Sequence, residues 1–288
     1  MKLDIKKLSY GLGARVNGID GTQALDAQTV QAVREAWLMH KVVVFPNMEI
    51  TPAQHVAFSN NFGELELHLL PSVRHAQHPE IMEVTNRMSE GKPSVTAKTG
   101  REWHSDGAFT VCPPTGSLLH CRALPEVGGD TWFTNMVMAY DTLSVAMKRM
   151  IEPLQVVNNL QKSALRTRDP QQTDEENRRL IPPVVQPMVR LHPETGQKAL
   201  FLSETVTTHI HGMSAQESEG LLKFLFTHSV RPEFTYRHCW SLWDLVMWDN
   251  RSTMHLAPAD YDTAQIRHMS RTTIVGEPLG SLYEGDGA

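Results

Sequence analysis

Residues 113–135 read PPTGSLLHCRALPEVGGDTWFTN. Pro113-Pro114 and Gly128-Gly129-Asp130 are turn chemistry. The segments they bound, Ser117–Ala123 and Thr131–Asn135, are apolar-rich and too short for an ordinary helix, so they read as strands. The same pattern recurs outward in both directions. Val42–Phe45 is a β-branched run that reads as a buried strand, and Ile81–Thr85 as another. Beyond the central stretch, Val189–Leu191 and Ala199–Leu202 flank Pro193-Glu194-Thr195-Gly196 as a hairpin, and Phe234–Trp240, Asp244–Trp248 and Thr272–Val275 read as strands.

Helices are few. One is expected from near Asp26 to about Lys41, with Val30, Val33, Ala36, Trp37 and His40 at helical spacing. A second opens at Thr51-Pro52, an N-cap followed by a first-turn proline, and stops at Gly63. Ser214–Thr227 is a third, with an acidic first turn. Strands do not alternate regularly with helices, so a doubly wound sheet is disfavoured. The fold class expected is mainly β with α additions around a β-sandwich core. Residues 161–183 are polar, lack an apolar stripe, and read as a mobile insertion. A single domain over 1–288 is expected.

The chain has 288 residues with 27 Lys+Arg against 32 Asp+Glu, a net charge of -5. That balance offers no basic field for nucleic acid. Charges interrupt the N-terminal segment and no apolar run reaches membrane length, so cytoplasm is the expected address, with neither membrane nor nucleic acid as partner. Three cysteines without a close pair argue against a disulfide framework or zinc ribbon. Gly11-Leu12-Gly13 lacks the third glycine of a dinucleotide fingerprint.

The chemistry lies in the histidines, of which there are 14. A His-x-carboxylate pair on extended chain turns both side chains to one side. Three such pairs occur, against about 1.6 expected by chance, so the pattern alone decides little. His78-Pro79-Glu80 and His192-Pro193-Glu194 carry a central proline and read as surface turns. His104-Ser105-Asp106 is flanked by Trp103 and Phe109 and followed by Gly107, a partly buried setting with room for approach. His209-Ile210-His211 offers two imidazoles without an evident third ligand and reads as a loop. Near the C-terminus, His255 follows a strand and turn. Arg267 and Arg271 come later and share a face if their segment is extended. Two His and one Asp on one side of a metal form the facial triad of non-haem Fe(II) oxygenases, and an arginine nearby can hold a carboxylate through two parallel hydrogen bonds.

In their order and spacing these blocks resemble the taurine dioxygenase family, the Fe(II)- and 2-oxoglutarate-dependent enzymes that include 2,4-dichlorophenoxyacetate dioxygenases. The resemblance runs from Gly13-Ala14 and Gly18-Ile19-Asp20 through Phe62-Gly63-Glu64-Leu65, Trp103-His104-Ser105-Asp106 and Pro125-Glu126-Val127-Gly128-Gly129-Asp130-Thr131. It continues to Trp248-Asp249-Asn250-Arg251, His255 and Arg267 to Gly276. It implies a double-stranded β-helix, or jelly roll. It implies iron ligation by His104, Asp106 and His255, and capture of the distal carboxylate of 2-oxoglutarate by Thr131 and Arg267. Contact with an acidic substrate falls to His68, the backbone at Gly107, and Arg271. The activity implied is O2-dependent hydroxylation of a small anionic organic substrate (a sulfonate, sulfate ester or carboxylate), with succinate and CO2 as coproducts. A homo-oligomer is expected.

Three departures bear on the substrate. Gly100, Pro71 and Ala164 stand where the taurine enzymes carry an asparagine, an aromatic residue and a phenylalanine. All three enlarge the pocket or remove polar contacts, so an acid with a larger apolar tail, lying against Leu69, Leu70 and Phe109, is expected to be preferred to taurine. Taurine itself, a metal-holding jelly roll without turnover, and a metal hydrolase are the alternatives.

Overall fold

The computed structural model describes residues 3–89, 92–160, 162 and 181–285. In chain order the strands are β1 (Asp4–Lys7), β2 (Ala14–Asn17), β3 (Val42–Phe45), β4 (Met82–Thr85), β5 (Met88–Ser89), β6 (Lys92–Pro93), β7 (Gly116–Ala123), β8 (Thr131–Asn135) and β9 (Gln155–Asn158). They continue with β10 (Val184–Pro187), β11 (Val189–Leu191), β12 (Lys198–Leu200), β13 (Thr207–Ile210), β14 (Thr235–His238), β15 (Leu245–Asp249), β16 (Thr253–Leu256), β17 (His268–Ile274) and β18 (Ser281–Leu282). The helices are α1 (Ala27–His40), α2 (Pro52–Ser59), α3 (Met136–Asp141), α4 (Val145–Ile151) and α5 (Ala215–Ser229).

A seven-stranded sheet in the order β1-β2-β3-β15-β7-β17-β4 faces a three-stranded sheet, β14-β8-β16; a four-stranded sheet, β13-β9-β10-β18, lies beyond. Period-two alternation divides the large sheet into two surfaces. One face of β3, β15 and β7 presents Val43, Phe45, Leu245, Met247 and Leu118, and these pack with Val33 and Trp37 of α1 and Phe58 of α2. The other face presents Val42, Val44, Val246, Trp248, Leu119, Cys121 and Met269, packed against Phe133 of β8. The reactive residues stand around this second layer. A third cluster joins α3, α4 and α5 to β12 and β13 around Met188 and Leu225, both with no exposed surface.

The helix ends follow their sequence signals. Asp26 accepts from Thr29 N and caps α1. Thr51 and Gln54 form a reciprocal capping box on α2, as do Ser214 and Glu217 on α5. The expected strands and the 189–200 hairpin form, with ends shifted by a few residues; β17 starts at His268 rather than Thr272.

Several elements were not anticipated: β1, β2, β9, β10, β13, β16 and the short helices α3 and α4. Strand β13 corrects the loop reading of His209. His209 and its neighbour His211 both meet Tyr283 edge-on. The insertion expected over 161–183 lies outside the described residues, apart from Lys162 and 181–183, and so does Ala164. Among the described residues no helix is long and apolar enough to cross a membrane.

Candidate active site

His255 sits on β16, directly opposite Phe133 of β8, so its side chain enters the layer between the sheets. His104 extends the same sheet. Its N–H donates to His255 O at 3.0 Å and its carbonyl accepts from His255 N at 2.7 Å. This closed pair holds the two imidazoles with ring centroids 4.1 Å apart. Asp106, two residues further, turns to the same side. Its Oδ1 lies 3.9 Å from His104 Nε2 and 3.9 Å from His255 Nε2. The ligand atoms of the three residues all lie within 4.8 Å of one another, and theirs is the one such His/Cys/Asp/Glu group among the described residues.

The donor atoms suit a cation. His104 Nδ1 lies 2.8 Å from Glu102 O, a bond that fixes the ring with Nε2 turned toward Asp106. Burial, reinforced by His104, pushes His255 down to about 3, so its imidazole is neutral. Its Nδ1 is buried without a hydrogen-bond partner among the described residues. Burial would raise the Asp106 carboxyl, but Arg271, the two imidazoles and the Ser117 hydroxyl outweigh it and hold the group well below the usual carboxylate range. Two imidazole nitrogens and one carboxylate oxygen, converging from one side, are the donor set of a non-haem Fe(II) centre.

Arg267 precedes β17 by one residue, and Arg271 lies within that strand; both project from the face that carries Met269. Arg267 is 7% exposed. Its Nε donates to Gly129 O at 2.8 Å, its Nη2 lies 3.5 Å from Thr131 Oγ1, and its backbone N donates to Asn86 Oδ1 at 2.9 Å. Asp260 Oδ1 accepts from Gly129 N at 2.9 Å and so pins the glycine turn that aims Arg267. Arg271 Nη1 donates to Asp106 Oδ1 at 2.7 Å. His68 lies near Arg271; burial first, and that guanidinium second, push its imidazole down.

Thus the structure brings His104, Asp106 and His255 together, pairs Thr131 with Arg267, and sets Arg271 against the triad. Gly107 adopts φ +60° and an added Cβ would lie 2.3 Å from Pro114 Cδ, so only glycine fits. Its carbonyl accepts from both the N–H and the hydroxyl of Thr110. Gly100 lies beside the triad, where an added Cβ would stand 3.4 Å from His104 Cε1. Phe109 packs instead with the Ala108, Phe201 and Val206 cluster, because the chain turns at Gly107, while Leu69 and Leu70 are more than half exposed.

His192 is the second correction. It opens the expected turn, its Nδ1 accepting from Glu194 N and Thr195 N, but it is buried rather than on the surface, 2% exposed, with Nε2 2.8 Å from Asp249 Oδ2. Its partner lies 57 positions away, beyond the reach of local pattern. Ser117, Asn250, Asn86 and Asp260 were also missed. Of these only Ser117 carries a local signal, a hydroxyl inside a buried strand that must find a partner.

A mainly β protein with a His-Asp-His cluster and an arginine bonded to its carboxylate has the donor set of the non-haem iron oxygenases. A profile of the taurine catabolism dioxygenase TauD, TfdA family matches residues 4–273, and the chain belongs to that family. It is 32% identical over 280 residues to the α-ketoglutarate-dependent 2,4-dichlorophenoxyacetate dioxygenase of Cupriavidus pinatubonensis, covering 92% of this chain and 95% of that protein. It is 30% identical over 288 residues to the α-ketoglutarate-dependent sulfate ester dioxygenase of Pseudomonas putida, covering 97% and 92%. The crystal structure of AAD-2 in complex with Mn(II) and N-oxalylglycine superposes with a TM-score of 0.84 at 35% identity, covering 97% of this chain and all of that one. The chain is an oxidoreductase, a 2-oxoglutarate-dependent dioxygenase that uses Fe(II) and O2.

Proposed function

We propose that this dioxygenase hydroxylates a small organic acid with an apolar tail, with His104, Asp106 and His255 as its iron ligands. The observation that carries the reading is the convergence of those three donors on one point beside Arg271. The facing sheets are then the halves of a double-stranded β-helix, with the site between them in one catalytic domain. Bound Fe(II), with 2-oxoglutarate and O2, supplies the oxidising power for C–H hydroxylation and leaves succinate and CO2.

The chain's own residues bind and orient. Arg267 and Thr131 take the distal carboxylate of 2-oxoglutarate. Trp240 Nε1 donates to Thr131 Oγ1 at 3.0 Å, so the Thr131 hydroxyl proton is left to donate to that carboxylate. Arg271 meets the acidic end of the substrate with His68 and the Gly107 N–H. The contact of Arg271 with Asp106 sets that acidic end, and hence the attacked carbon, close to the metal ligands. The open side of His104 beside Gly100 supports a bulky tail rather than an ammonium, which would lie buried and unpaired.

Succinate release tests the reading when taurine, an aryloxyacetate and an alkyl sulfate are compared at equal concentration. Faster release with one of the larger acids is expected; a clear preference for taurine would overturn the substrate assignment. His255→Ala is expected to abolish turnover, and full activity in that variant would remove it from the triad.

A further inference from the structure

The block Trp248-Asp249-Asn250-Arg251 supplies no ligand, yet its residues are almost wholly buried. Trp248 Nε1 donates to Asn250 Oδ1 at 2.9 Å, Asn250 Nδ2 donates to Ser117 Oγ at 3.1 Å, and Ser117 Oγ donates to Asp106 Oδ2 at 2.7 Å. From this chain we infer that Asn250 and Ser117 are positioning residues that make Asp106 a one-oxygen metal ligand through Oδ1, an assignment resting on the metal-site reading above.

The direction of the chain is forced. An indole N–H can only donate, so the amide oxygen of Asn250 must face it and the amide cannot flip. The Asn250 NH2 group therefore faces Ser117 and can only donate. Ser117 Oγ accepts that bond, so its single proton goes to Asp106 Oδ2. Oδ2 is thereby engaged by Ser117, while Oδ1, which accepts from Arg271 Nη1 at 2.7 Å, is the oxygen 3.9 Å from both imidazoles. The backbone of Asn250 is tied to the same construction: its carbonyl accepts from Ser105 Oγ at 2.7 Å, between His104 and Asp106, and its N–H donates to Thr115 O at 3.1 Å. Ser117 is fully buried and Asn250 1% exposed, so no solvent competes for these bonds. Removing the hydroxyl frees Oδ2 and leaves the Arg271 bond to Oδ1 as the remaining side-chain restraint on the carboxylate.

The test is Mn(II) titration of the metal-free full-length protein, with free Mn(II) followed by electron paramagnetic resonance. Ser117→Ala is expected to weaken Mn(II) about 10–100-fold, the usual effect of losing a hydrogen-bond partner of a ligand, and Ser117→Thr to restore it. At saturating metal the KM for 2-oxoglutarate should not move, because the chain touches Asp106 and not Arg267. Asn250→Ala should weaken Mn(II) as well. The double variant should be no weaker than Ser117→Ala alone, because Asn250 acts through Ser117. Melting of the metal-free variants separates folding from metal affinity, and the serine pair reads the chain even if Asn250→Ala does not fold. Unchanged Mn(II) affinity in Ser117→Ala, or losses that add in the double variant, would overturn the inference. Failure of the wild-type chain to bind Mn(II) would instead sink the metal site itself.

Discussion

Arg267 and Arg251 are both buried arginines, and they are held differently. Arg267 is anchored on a carbonyl and a hydroxyl, with no carboxylate bonded to it among the described residues, and burial pushes its pKa down. A desolvated guanidinium in that state is completed by an anion. Arg267→Ala should therefore raise the KM for 2-oxoglutarate at least about thirtyfold, from a loss of about 2–5 kcal/mol. A wild-type KM would reassign it. Arg251 is already satisfied: it donates twice to Asp249 and once to Glu194, and its guanidinium lies 5.3 Å from the centroid of the Trp37 ring. Arg251→Met should leave Asp249 buried with His192 as its remaining side-chain partner and cost about 3–5 kcal/mol, read as a shift in the urea midpoint. A loss under about 1 kcal/mol would show that the network contributes little. The contrast marks what could be read at this scale. His104, Asp106 and His255 declare themselves by residue type and spacing, and Arg267 and Arg271 by their four-residue interval on one face. Of the partners that make these groups work, Ser117 shows only as a hydroxyl inside an apolar strand, while Asn250, Asp260 and Asn86 are single polar residues far from their partners in sequence.

Elements that carry their own capping signals were legible, and those defined by distant pairing were not. Helix α1 has Asp26 at its N-cap and a 3.6-residue apolar stripe, and α2 has the Thr51-Pro52 start; both form as the residues dictate. Strand β1 is exposed at every position and forms because its register with β2 closes the sheet edge, so it has no period to detect. The packing of α1 onto the large sheet shows how a single small residue sets an element's place. An added Cβ at Gly116 would lie 2.5 Å from Trp37 Cζ2 and 2.8 Å from Trp248 O. Neither can withdraw cheaply, since Trp37 is wholly buried and the second atom is backbone in the adjacent strand. Gly116→Ala should lower stability by about 1–3 kcal/mol and lift α1 from the sheet, measured by denaturant unfolding and by faster amide exchange in 27–40. Wild-type stability with unchanged exchange would mean that the interface repacks freely.

At the scale of the whole molecule, two buried histidines outside the site add to the acid sensitivity that His255 brings. His55 of α2 and His120 of β7 are 1% and 0% exposed, with ring centroids 5.5 Å apart. His120 is bonded to Met48 O, and His55 contacts Thr272, which in turn bonds Ser59. Arg122 and, with opposite sign, Asp244 are the charged groups that act on His120, and Trp243 lies against its ring. Burial, helped by Arg122, pushes His120 down to about 4; burial, His120 and Arg122 push His55 well below its ordinary value. Both are neutral in the native state, and in the unfolded chain each titrates near 6.5. Between pH 6.5 and about 4 the unfolded chain therefore binds protons that the folded chain refuses, and stability falls as pH falls. His120 contributes a slope of about 1.4 kcal/mol per pH unit in that window, and His55 adds to it in the same direction. Asp106 and Asp249, both held low, add their own loss only below the ordinary carboxylate value of 3.8. Acid sensitivity should thus begin more than two pH units above the point where the buried carboxylates protonate. Urea midpoints at pH 7, 6 and 5 should decline progressively, and His120→Gln, which keeps a donor toward Met48 O without a titrating ring, should flatten the decline. A midpoint that stays level from pH 7 to 5 in the wild-type chain would show that these imidazoles reach protons without unfolding.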